Sequence, residues 1–440
     1  MPFRVLCYVL LIAAFCRFDL HAENWPGWRG PRGDGSSLDT NVPVSWDVST
    51  GENVCWQIDV PGKGHSSPIV WDNRVFLTSC LESSKQRVLL CLDRESGSIL
   101  WTRAVFDGPL ETVHSRNSRA SGTPATDGES IFVAFMRTDG EKIPAPNVGS
   151  PRDITRGEMV VAAYDLDGNQ KWLAERGDFI SAHGFCTCPV IYGDLLIVNG
   201  DHDGNSYVAA LDKQTGEQRW RLERKHGVRS YVTPIIREID GRTQMVFSGS
   251  QRIISLDPGD GSLHWSIEGP TEQFVASMVY DGRLFYMTCG FPDYFVMGVR
   301  PDGSGDVTSS SVAWKSTSAR CYVPSPVVLG GYLVVADDRG TANCFDAATG
   351  ERHWQGRFGK GFSASLVHSG GLVYLIAQDG ETTVLRPGVE PDVVARSSVG
   401  EYVSASPAIS DGRLFIRGEE SLFCLSSAPP PTPGRQNPSE

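Results

Sequence analysis

Short runs of alternating apolar and polar residues, each ended by a tight turn, recur along almost the whole chain. The clearest lies at residues 210–220, A-L-D-K-Q-T-G-E-Q-R-W, where an apolar strand ends at Asp212 and a second strand delivers Trp220. The Asp212 and Thr215 side chains can hydrogen-bond the turn backbone, and Gly216 can take a positive φ. No long apolar stripe of helical period interrupts these runs. The pattern predicts an all-β chain built from short hairpins.

The same hairpin occurs five times, so the chain is a repeat protein. Each copy ends in a tryptophan, which carries a large apolar area and one N–H that needs an acceptor. The five tryptophans are Trp101, Trp172, Trp220, Trp265 and Trp354. A sixth, Trp56, follows Gly51 in a segment that has only the second half of the hairpin. We expect all six to be structural docking residues.

The pattern A-x-D-x-x-T-G-x-x-x-W resembles the tryptophan-docking motif of the pyrroloquinoline quinone (PQQ) repeat β-propellers. The resemblance covers the chain from about residue 44 to residue 425. It implies a ring of four-stranded blades, which lets one domain grow to this length without an internal linker. That family includes quinoprotein dehydrogenases, the outer-membrane assembly lipoprotein BamB and many secreted propellers, so the motif is specific for the fold and much less so for an activity.

A second pattern marks where each blade begins: a small residue, then usually proline, at the start of a short apolar strand. Proline is tolerated on an edge strand, and the innermost strand of a blade is an edge that lines the channel. Eight such marks predict eight blades, at Pro68, Pro124, Pro189, Pro234, Met278, Pro326, Leu366 and Pro407.

The last mark begins only three strands, and the missing fourth is predicted near the other end of the chain. Residues 53–58 carry the orphan outer strand, and residues 407–409, 413–417 and 421–425 carry the other three. The N- and C-terminal strands would then share one blade, which closes the ring non-covalently and removes an exposed edge. Extra length in three blades falls at residues 107–120, 137–158 and 291–311, which are predicted to be loops.

The two ends of the chain differ from the repeats. Residues 1–22 have the basic start, apolar run and cleavage site of a signal peptide, which predicts an extracytoplasmic protein, periplasmic or secreted, without a transmembrane anchor. Residues 23–43 form an irregular Gly/Pro-rich arm, expected to be a strap across the propeller. The single propeller domain spans residues 44–427, and the Pro-rich tail 428–440 is expected to be disordered.

The net charge of −12 argues against nucleic acid as a partner, since no basic run overrides it. Removing the signal leaves nine of the 11 cysteines. Most stand where the repeat needs a small buried residue, which favours free thiols. Export still permits disulfides, and two pairs are candidates: Cys80 with Cys91, and Cys55 with Cys424 across the ring closure.

Three candidate chemistries are weak in this sequence. The run Asp201-His202-Asp203 is like the start of a calcium loop, but a polar hairpin turn explains it better. His183 with Cys186 and Cys188 could bind a soft metal, yet both cysteines occupy packing positions of the repeat. The chain has no Cys-Cys dipeptide of the kind that quinoprotein dehydrogenases carry over PQQ, and calcium ligands cannot be matched. We therefore predict no metal site and no catalytic residues, with PQQ and calcium kept as an alternative.

A more informative set lies on the loops that deliver each innermost strand to the channel. Propeller geometry gathers these residues around one mouth, which predicts a basic ligand site there. Two arginines could each grip a carboxylate, lysines add point charges, and tyrosines supply walls. The alternative is a rim where these cations pair with turn carboxylates. The set comprises Lys63, His65, Arg119, His183, Arg229, Tyr231, Arg320, Tyr322, Lys360 and Tyr402.

These patterns favour a monomeric binding or scaffold propeller whose basic channel mouth takes an anionic small molecule or an acidic peptide. A PQQ-dependent oxidoreductase is the enzyme alternative. A BamB-like role in outer-membrane protein assembly, with an envelope protein as partner, is the second alternative.

Overall fold

The computed structural model describes residues 23–427, and every regular element in that range is a β-strand. The strands form eight antiparallel sheets of four strands, one of them extended by a fifth, and the sheets are the blades of a propeller. The prediction of an all-β, eight-bladed propeller is therefore confirmed. The predicted signal peptide and Pro-rich tail lie outside the described residues.

Each blade runs from an innermost strand at the channel to an outermost strand at the rim. In this order, the strands of blades 1 to 4 are Ile69–Trp71, Arg74–Leu81, Gln86–Asp93 and Ile99–Asp107; Ala125–Thr126, Ile131–Arg137, Gly157–Tyr164 and Gln170–Phe179; Val190–Tyr192, Leu195–Gly200, Tyr207–Asp212 and Gln218–Glu223; Ile235–Ile239, Arg242–Gly249, Arg252–Leu256 and Leu263–Glu268.

The strands of blades 5 to 8, in the same order, are Val279–Tyr280, Phe285–Cys289, Phe295–Val299 and Val312–Ser316; Val327–Leu329, Tyr332–Ala336, Thr341–Asp346 and Arg352–Arg357; Val367–Ser369, Leu372–Ile376, Glu381–Arg386 and Asp392–Ser398; Ala408–Ser410, Arg413–Arg417, Ser421–Ser426 and Val54–Asp59. We call the face where each innermost strand begins the upper face and the opposite one the lower face.

The N-terminal strand Val54–Asp59 completes blade 8, as predicted. It pairs antiparallel with Ser421–Ser426, with Trp56 opposite Cys424 and Asp59 opposite Ser421. The innermost strand Ala408–Ser410 and its neighbour are supplied by the C-terminal part of the chain. The ring is thus closed by backbone hydrogen bonds between the two ends of the domain.

Tryptophans on the outermost strands link each blade to the next. The indole N–H donates to a carbonyl of the neighbouring blade's lower turn at 2.9–3.2 Å, from Trp56 to Arg94, Trp101 to Leu166, Trp172 to Lys213, Trp220 to Pro258, Trp314 to Ala347 and Trp354 to Gly388. Trp265 instead binds the Gln244 side chain at 2.8 Å and the Pro301 carbonyl at 3.2 Å. Blade 7 has Ala395 at this position of its outermost strand.

A turn glycine is the surface on which five of the indoles pack, those of Trp56, Trp101, Trp172, Trp220 and Trp314. Gly216 has φ 74°, and a Cβ built on it would lie 2.6 Å from the Trp172 ring. The Asp212 carboxylate accepts the Thr215 N–H at 2.9 Å and holds the turn. The repeat therefore needs glycine for two separate reasons, its backbone conformation and the approach of the neighbouring blade.

The segment 291–311, predicted as an insertion loop, contains the third strand of blade 5, Phe295–Val299. It also contributes Gly305–Asp306, which pairs in parallel with the outermost strand of blade 4 through Trp265 and Ser266. The loop prediction was wrong here because Pro and Gly flank a short apolar run whose two faces are both buried. Residues 137–158 likewise include a small hairpin, Lys142–Pro144 with Asp153–Thr155.

The N-terminal arm crosses the lower end of the channel. Trp25 exchanges two backbone hydrogen bonds with Val70 of blade 1, and Ser37 N–H donates to the His368 carbonyl of blade 7. Arg29 is buried and donates from Nη2 to the carbonyls of Pro326 at 2.6 Å and Leu366 at 3.3 Å. Burial lowers the pKa of Arg29 to about 10. The arm is thus pinned to blades 1, 6 and 7.

Candidate functional site

A ring of small polar residues forms the wall of the central channel. At six of the eight blade marks, the residue before the mark donates its backbone N–H to the side chain of the equivalent residue in the next blade. Six such links are made within residues 23–427, at 2.7–3.4 Å: Ser67 to Thr123, Thr123 to Cys188, Thr233 to Ser277, Ser277 to Ser325, Ser325 to Ser365 and Ser365 to Ser406. This ring explains why the repeat places Ser, Thr or Cys before the mark.

The channel encloses a cavity of about 500 Å³ whose floor is Trp28. Trp28 also lines a separate cavity of about 180 Å³ on the lower face, so its indole is the partition between the two. The Arg29 guanidinium lies 5.8 Å from the centre of the Trp28 ring. Because the arm occupies the lower end, the cavity opens toward the upper face.

Histidine and tyrosine side chains surround the upper part of this cavity. His65, His183, Tyr231 and Tyr322, all predicted from the sequence, line it together with His114. The His183 ring lies 5.1 Å from His114 and 6.3 Å from Tyr231, centre to centre. The Tyr231 hydroxyl is 3.1 Å from Ser181 Oγ, and Tyr322 donates to Gln273 Oε1 at 3.3 Å.

The imidazoles at the mouth are held neutral. Burial, then the charge of Arg229, lowers the pKa of His183 to about 3. Burial, then Arg417, lowers the pKa of His65 to about 4. Arg229 Nε donates to His183 Nδ1 at 3.3 Å, so the His183 proton resides on Nε2. Neutral imidazoles offer one donor and one acceptor each, which suits an uncharged or polar ligand surface.

A loop between blades 1 and 2, residues 108–119, extends over the mouth, and we call it the lid. Its base is fixed by a buried ion pair of Glu111 with Arg87. Its tip carries Arg116, whose Nη1 lies 3.0 Å from Asp338 Oδ2 of blade 6, across the ring. Asn117 Nδ2 donates to the His183 carbonyl at 2.8 Å. The lid thus spans the channel from one side to the other.

A second cavity of about 460 Å³ lies beside the channel under the lid, and we call it the side chamber. It collects four of the predicted residues, Lys63, His65, Arg119 and Tyr402. Arg119 pairs with Glu82 and donates from Nε to the Glu111 carbonyl at 2.9 Å. Lys63 is exposed and makes no ion pair within the described range.

Three predicted cations take other positions. Arg229 is buried and binds both carboxylate oxygens of Asp203, at 2.8 and 2.9 Å. The carboxylate that it was predicted to grip in a ligand is therefore supplied by the protein itself. Arg320 is exposed, with its guanidinium 5.6 Å from the Tyr294 ring centre, and Lys360 lies 3.4 Å from Asp379. Neither of these two lines the cavities.

Sequence reasoning missed the lid and floor residues His114, Arg116, Asn117 and Trp28. His114 to Asn117 fall in a stretch that carries no repeat signal, and their partners are remote in sequence, 222 residues away for Arg116 and Asp338. Trp28 was assigned to the strap without a role in the channel. The two tryptophans of the arm, Trp25 and Trp28, were the signal that could have indicated a contact with the channel, because large aromatic residues on irregular segments need a surface to cover.

The acidic residues of the Asp201-His202-Asp203 turn are used internally. Asp201 pairs with Arg224 at 3.0 Å, and both side chains are almost fully buried. Asp203 pairs with Arg229. Among residues 23–427, no group of three or more His, Cys, Asp or Glu side chains is placed to hold a metal ion. The reading of this turn as a polar hairpin is consistent with these pairs.

All nine cysteines in the described range are free. Cys80 faces Arg87 across the strand pair while Cys91 faces Phe76, so the candidate pair Cys80 and Cys91 are not cross-strand neighbours. Cys55 lies at a bulge beside Cys424, and a hydrogen bond between the two thiols lowers the pKa of Cys55 to about 7.

The cavity does not fit calcium. Calcium is bound by carboxylate and carbonyl oxygens, and no Asp or Glu is among the described residues that line the channel cavity. The calcium that accompanies PQQ in the resembling dehydrogenases would find no carboxylate among the described residues of this lining. As a separate finding, no helix among residues 23–427 has the length and apolar character to span a membrane.

Comparisons with known proteins agree with this architecture. The chain is 25% identical over 279 residues to outer membrane protein assembly factor BamB from Burkholderia pseudomallei, covering 59% of each chain. It is 25% identical over 209 residues to the protein of the same name from Alkalilimnicola ehrlichii, covering 45% of this chain and 50% of that one. The match thus spans between half and three fifths of the length of these relatives.

Solved structures at low identity show the same fold. BamB from Moraxella catarrhalis superimposes with a TM-score of 0.58 at 14% identity, covering 85% of this chain and 97% of that chain. Quinohemoprotein alcohol dehydrogenase from Comamonas testosteroni gives 0.60 at 12% identity, covering 94% and 82%. A sequence profile of the family described as outer membrane protein assembly factor BamB matches residues 37–163, 153–281 and 304–387. The protein therefore belongs to this BamB-like family of PQQ-repeat propellers.

Proposed function

We propose that the protein is an extracytoplasmic binding propeller that holds a small molecule in its central channel. The observation that carries this proposal is that the lower end of the channel is closed. The arm and Trp28 close it, which leaves a cavity of about 500 Å³ with one mouth. Concave sites of this size are typical of small-molecule binding. Here the wall combines the ring of small polar residues with the aromatic side chains of Trp28, Tyr231 and Tyr322. Relatives named for outer-membrane assembly support an extracytoplasmic location.

The ligand of this proposal carries an anionic group. Lys63 and Arg320 make no ion pair among residues 23–427 and stand on the upper face, where a carboxylate would meet them. Arg229 contributes little to such recognition, because Asp203 already compensates its charge. Both free cations are exposed, so each should change affinity only modestly. The body of the ligand rests on neutral walls, and the charged group stays near the solvent.

Binding in the channel can be tested with a neutral aromatic probe, 2-(1-naphthyl)ethanol, by isothermal titration calorimetry. Val323 lines the cavity, so Val323→Trp should fill it and abolish binding. Leu263→Trp is the matched control, because Leu263 is 47% exposed on an outermost strand far from the channel. We expect binding to the wild type and the control but not to Val323→Trp. Equal binding to all three proteins would contradict a channel site.

An oxidoreductase role using PQQ is a second proposal, supported by the fold shared with a quinohemoprotein dehydrogenase and by the flat Trp28 floor. The absence of carboxylates from the described cavity lining counts against it. Adding PQQ and calcium to the protein should give neither a spectral change nor a thermal shift if the binding role is correct. A saturable red shift with stabilisation would favour the enzyme.

A role in outer-membrane assembly is a third proposal, supported by the family match. Its partner would be an envelope protein, and the upper-face loops offer the surface for it. Crosslinking in cells followed by co-purification of a membrane protein would support this role. Recovery of the propeller alone, at several crosslinker lengths, would count against it.

A further inference from the structure

The side chamber lies next to the channel cavity, and the two cavities differ in their linings. They share four lining residues, His65, His114, Arg116 and Asn117. Among residues 23–427, Arg116 is the one charged side chain that lines the channel. The chamber adds Lys63, Glu82, Arg119 and Glu419. A ligand that occupied both would therefore present a neutral body to the channel and a charged end to the chamber.

Most chamber charges are already compensated within the protein. Arg119 pairs with Glu82, and Arg116 pairs with Asp338 at 3.0 Å. Within the described range, Lys63 and Glu419 are the charged chamber-lining side chains that belong to no ion pair. One is a cation and the other an anion, and both are exposed on the wall of the same chamber.

The backbone fixes the positions from which these two side chains extend. Lys63 exchanges two hydrogen bonds with Cys80, at 2.9 and 2.8 Å, which hold it beside blade 1. Glu419 N–H donates to the Tyr402 carbonyl at 2.8 Å, between blades 7 and 8. Tyr402 adds a partly exposed ring to the same wall. The two charges are thus presented to one chamber from blade 1 and from blade 8.

We propose that the chamber binds the zwitterionic end of an α-amino acid or a small peptide whose apolar side chain enters the channel. Lys63 would bind the carboxylate of the ligand, and Glu419 would bind its ammonium group. A purely anionic ligand would instead place its negative charge near the Glu419 carboxylate, which repels it. The proposal rests on the proposed channel-binding function and names its substrate class. Trp28, Tyr231 and Tyr322 supply aromatic surface for the ligand's side chain.

Matched probes that share one naphthyl body test this proposal by calorimetry: 3-(1-naphthyl)-L-alanine, 3-(1-naphthyl)propionate, 2-(1-naphthyl)ethylamine and the neutral 2-(1-naphthyl)ethanol. We expect the amino acid to bind at least tenfold more tightly than the neutral alcohol, with the singly charged probes between them. Lys63→Met should remove the advantage of the carboxylate, and Glu419→Gln the advantage of the ammonium group, by three- to tenfold each.

Two neighbouring residues supply controls. Lys360 is an exposed upper-face lysine and Glu420 an exposed glutamate next in sequence to Glu419, and neither lines the chamber. Lys360→Met and Glu420→Gln should leave all four affinities unchanged. If the alcohol binds and the amino acid binds no better, or if the control variants weaken it equally, the zwitterion site is overturned while the channel function stands. If no probe binds, the proposed function itself fails.

Discussion

At the residue scale, one position decides how two blades fit together. Gly216 and Gly241 both have φ 74°, but a Cβ on Gly216 would meet the Trp172 ring at 2.6 Å, whereas nothing lies within 4 Å of one on Gly241. Gly241→Ala should therefore cost only the conformational strain, about 1–2 kcal/mol of unfolding free energy. Gly216→Ala should cost about 1–3 kcal/mol more, because the docked indole must move.

Urea denaturation of the two variants measures this difference. Equal losses of stability would mean that the blade interface yields without cost and that glycine is kept for its backbone alone. The comparison needs no assumption about the strain itself, since both turns share the same φ. It isolates the contribution of tryptophan docking to the ring.

Two half-buried histidines, His65 and His368, predict how stability depends on pH. Burial lowers the pKa of His65 and His368 to about 4, while an unfolded histidine has a pKa of about 6.5. Between these values the unfolded chain binds a proton that the folded protein does not. Stability is therefore complete above about pH 6.5 and falls as the pH drops toward 4, by up to about 1.4 kcal/mol per pH unit for each histidine.

We expect His368→Gln to flatten this dependence between pH 6.5 and 4.5, because glutamine does not titrate. Unfolding free energies of wild type and variant at half-unit pH steps give the two slopes. An unchanged slope would mean that the pKa of His368 is the same in the folded and unfolded states. Its nearest charges, Asp34, Arg29 and Arg32, all belong to the arm, so the same measurement reports on how the arm packs.

At the element scale, the arm and the strand that follows it have separable roles. Deleting residues 23–43 removes the channel floor but leaves Val54–Asp59 in blade 8. Deleting residues 23–60 removes that strand as well and exposes the edge of Ser421–Ser426. We expect the shorter deletion to stay monomeric and to lose channel binding, and the longer deletion to aggregate. Light scattering and probe titration distinguish the two.

An arm deletion that still bound the neutral naphthyl probe would show that the floor is dispensable. Aggregation of both proteins would instead mean that the arm itself protects an edge. The first outcome contradicts the channel as a one-mouthed site, and the second contradicts the separation of the two roles.

Elements that follow the repeat were predictable, and elements that depart from it were not. The turn pattern located the outer strands that carry six of the docking tryptophans. Trp314 was missed because the connection before it, residues 300–311, is longer than the turn of the motif, and its Asp and Gly residues do not stand at the motif's spacing. Trp314 nevertheless donates to Ala347 as the others do to their neighbours. The third strand of blade 5 was taken for a loop for the same reason. Where the periodic constraint is relaxed, burial alone decides the strand, and burial is not visible locally.

At the scale of the whole molecule, the channel wall was predictable and its contents were not. The eight marks located the ring of small residues because the same contact recurs at six of them. The lid and the side chamber depend on single contacts between remote segments, such as Arg116 with Asp338. Arg229 shows how far prediction from the repeat reaches. Its place near the mouth followed from the repeat, but its pairing with Asp203 depends on a turn of blade 3 that is not part of the repeat pattern.

Closure of the ring by the two ends of the domain also sets an order on biosynthesis. The strand Val54–Asp59 is made early, yet its partner Ser421–Ser426 follows about 360 residues later. At ~5–20 residues per second, this strand waits about 20–70 s for its partner. Throughout that time the growing chain is an open arc with a free sheet edge, so a chaperone that covers extended strands has a defined period in which to act.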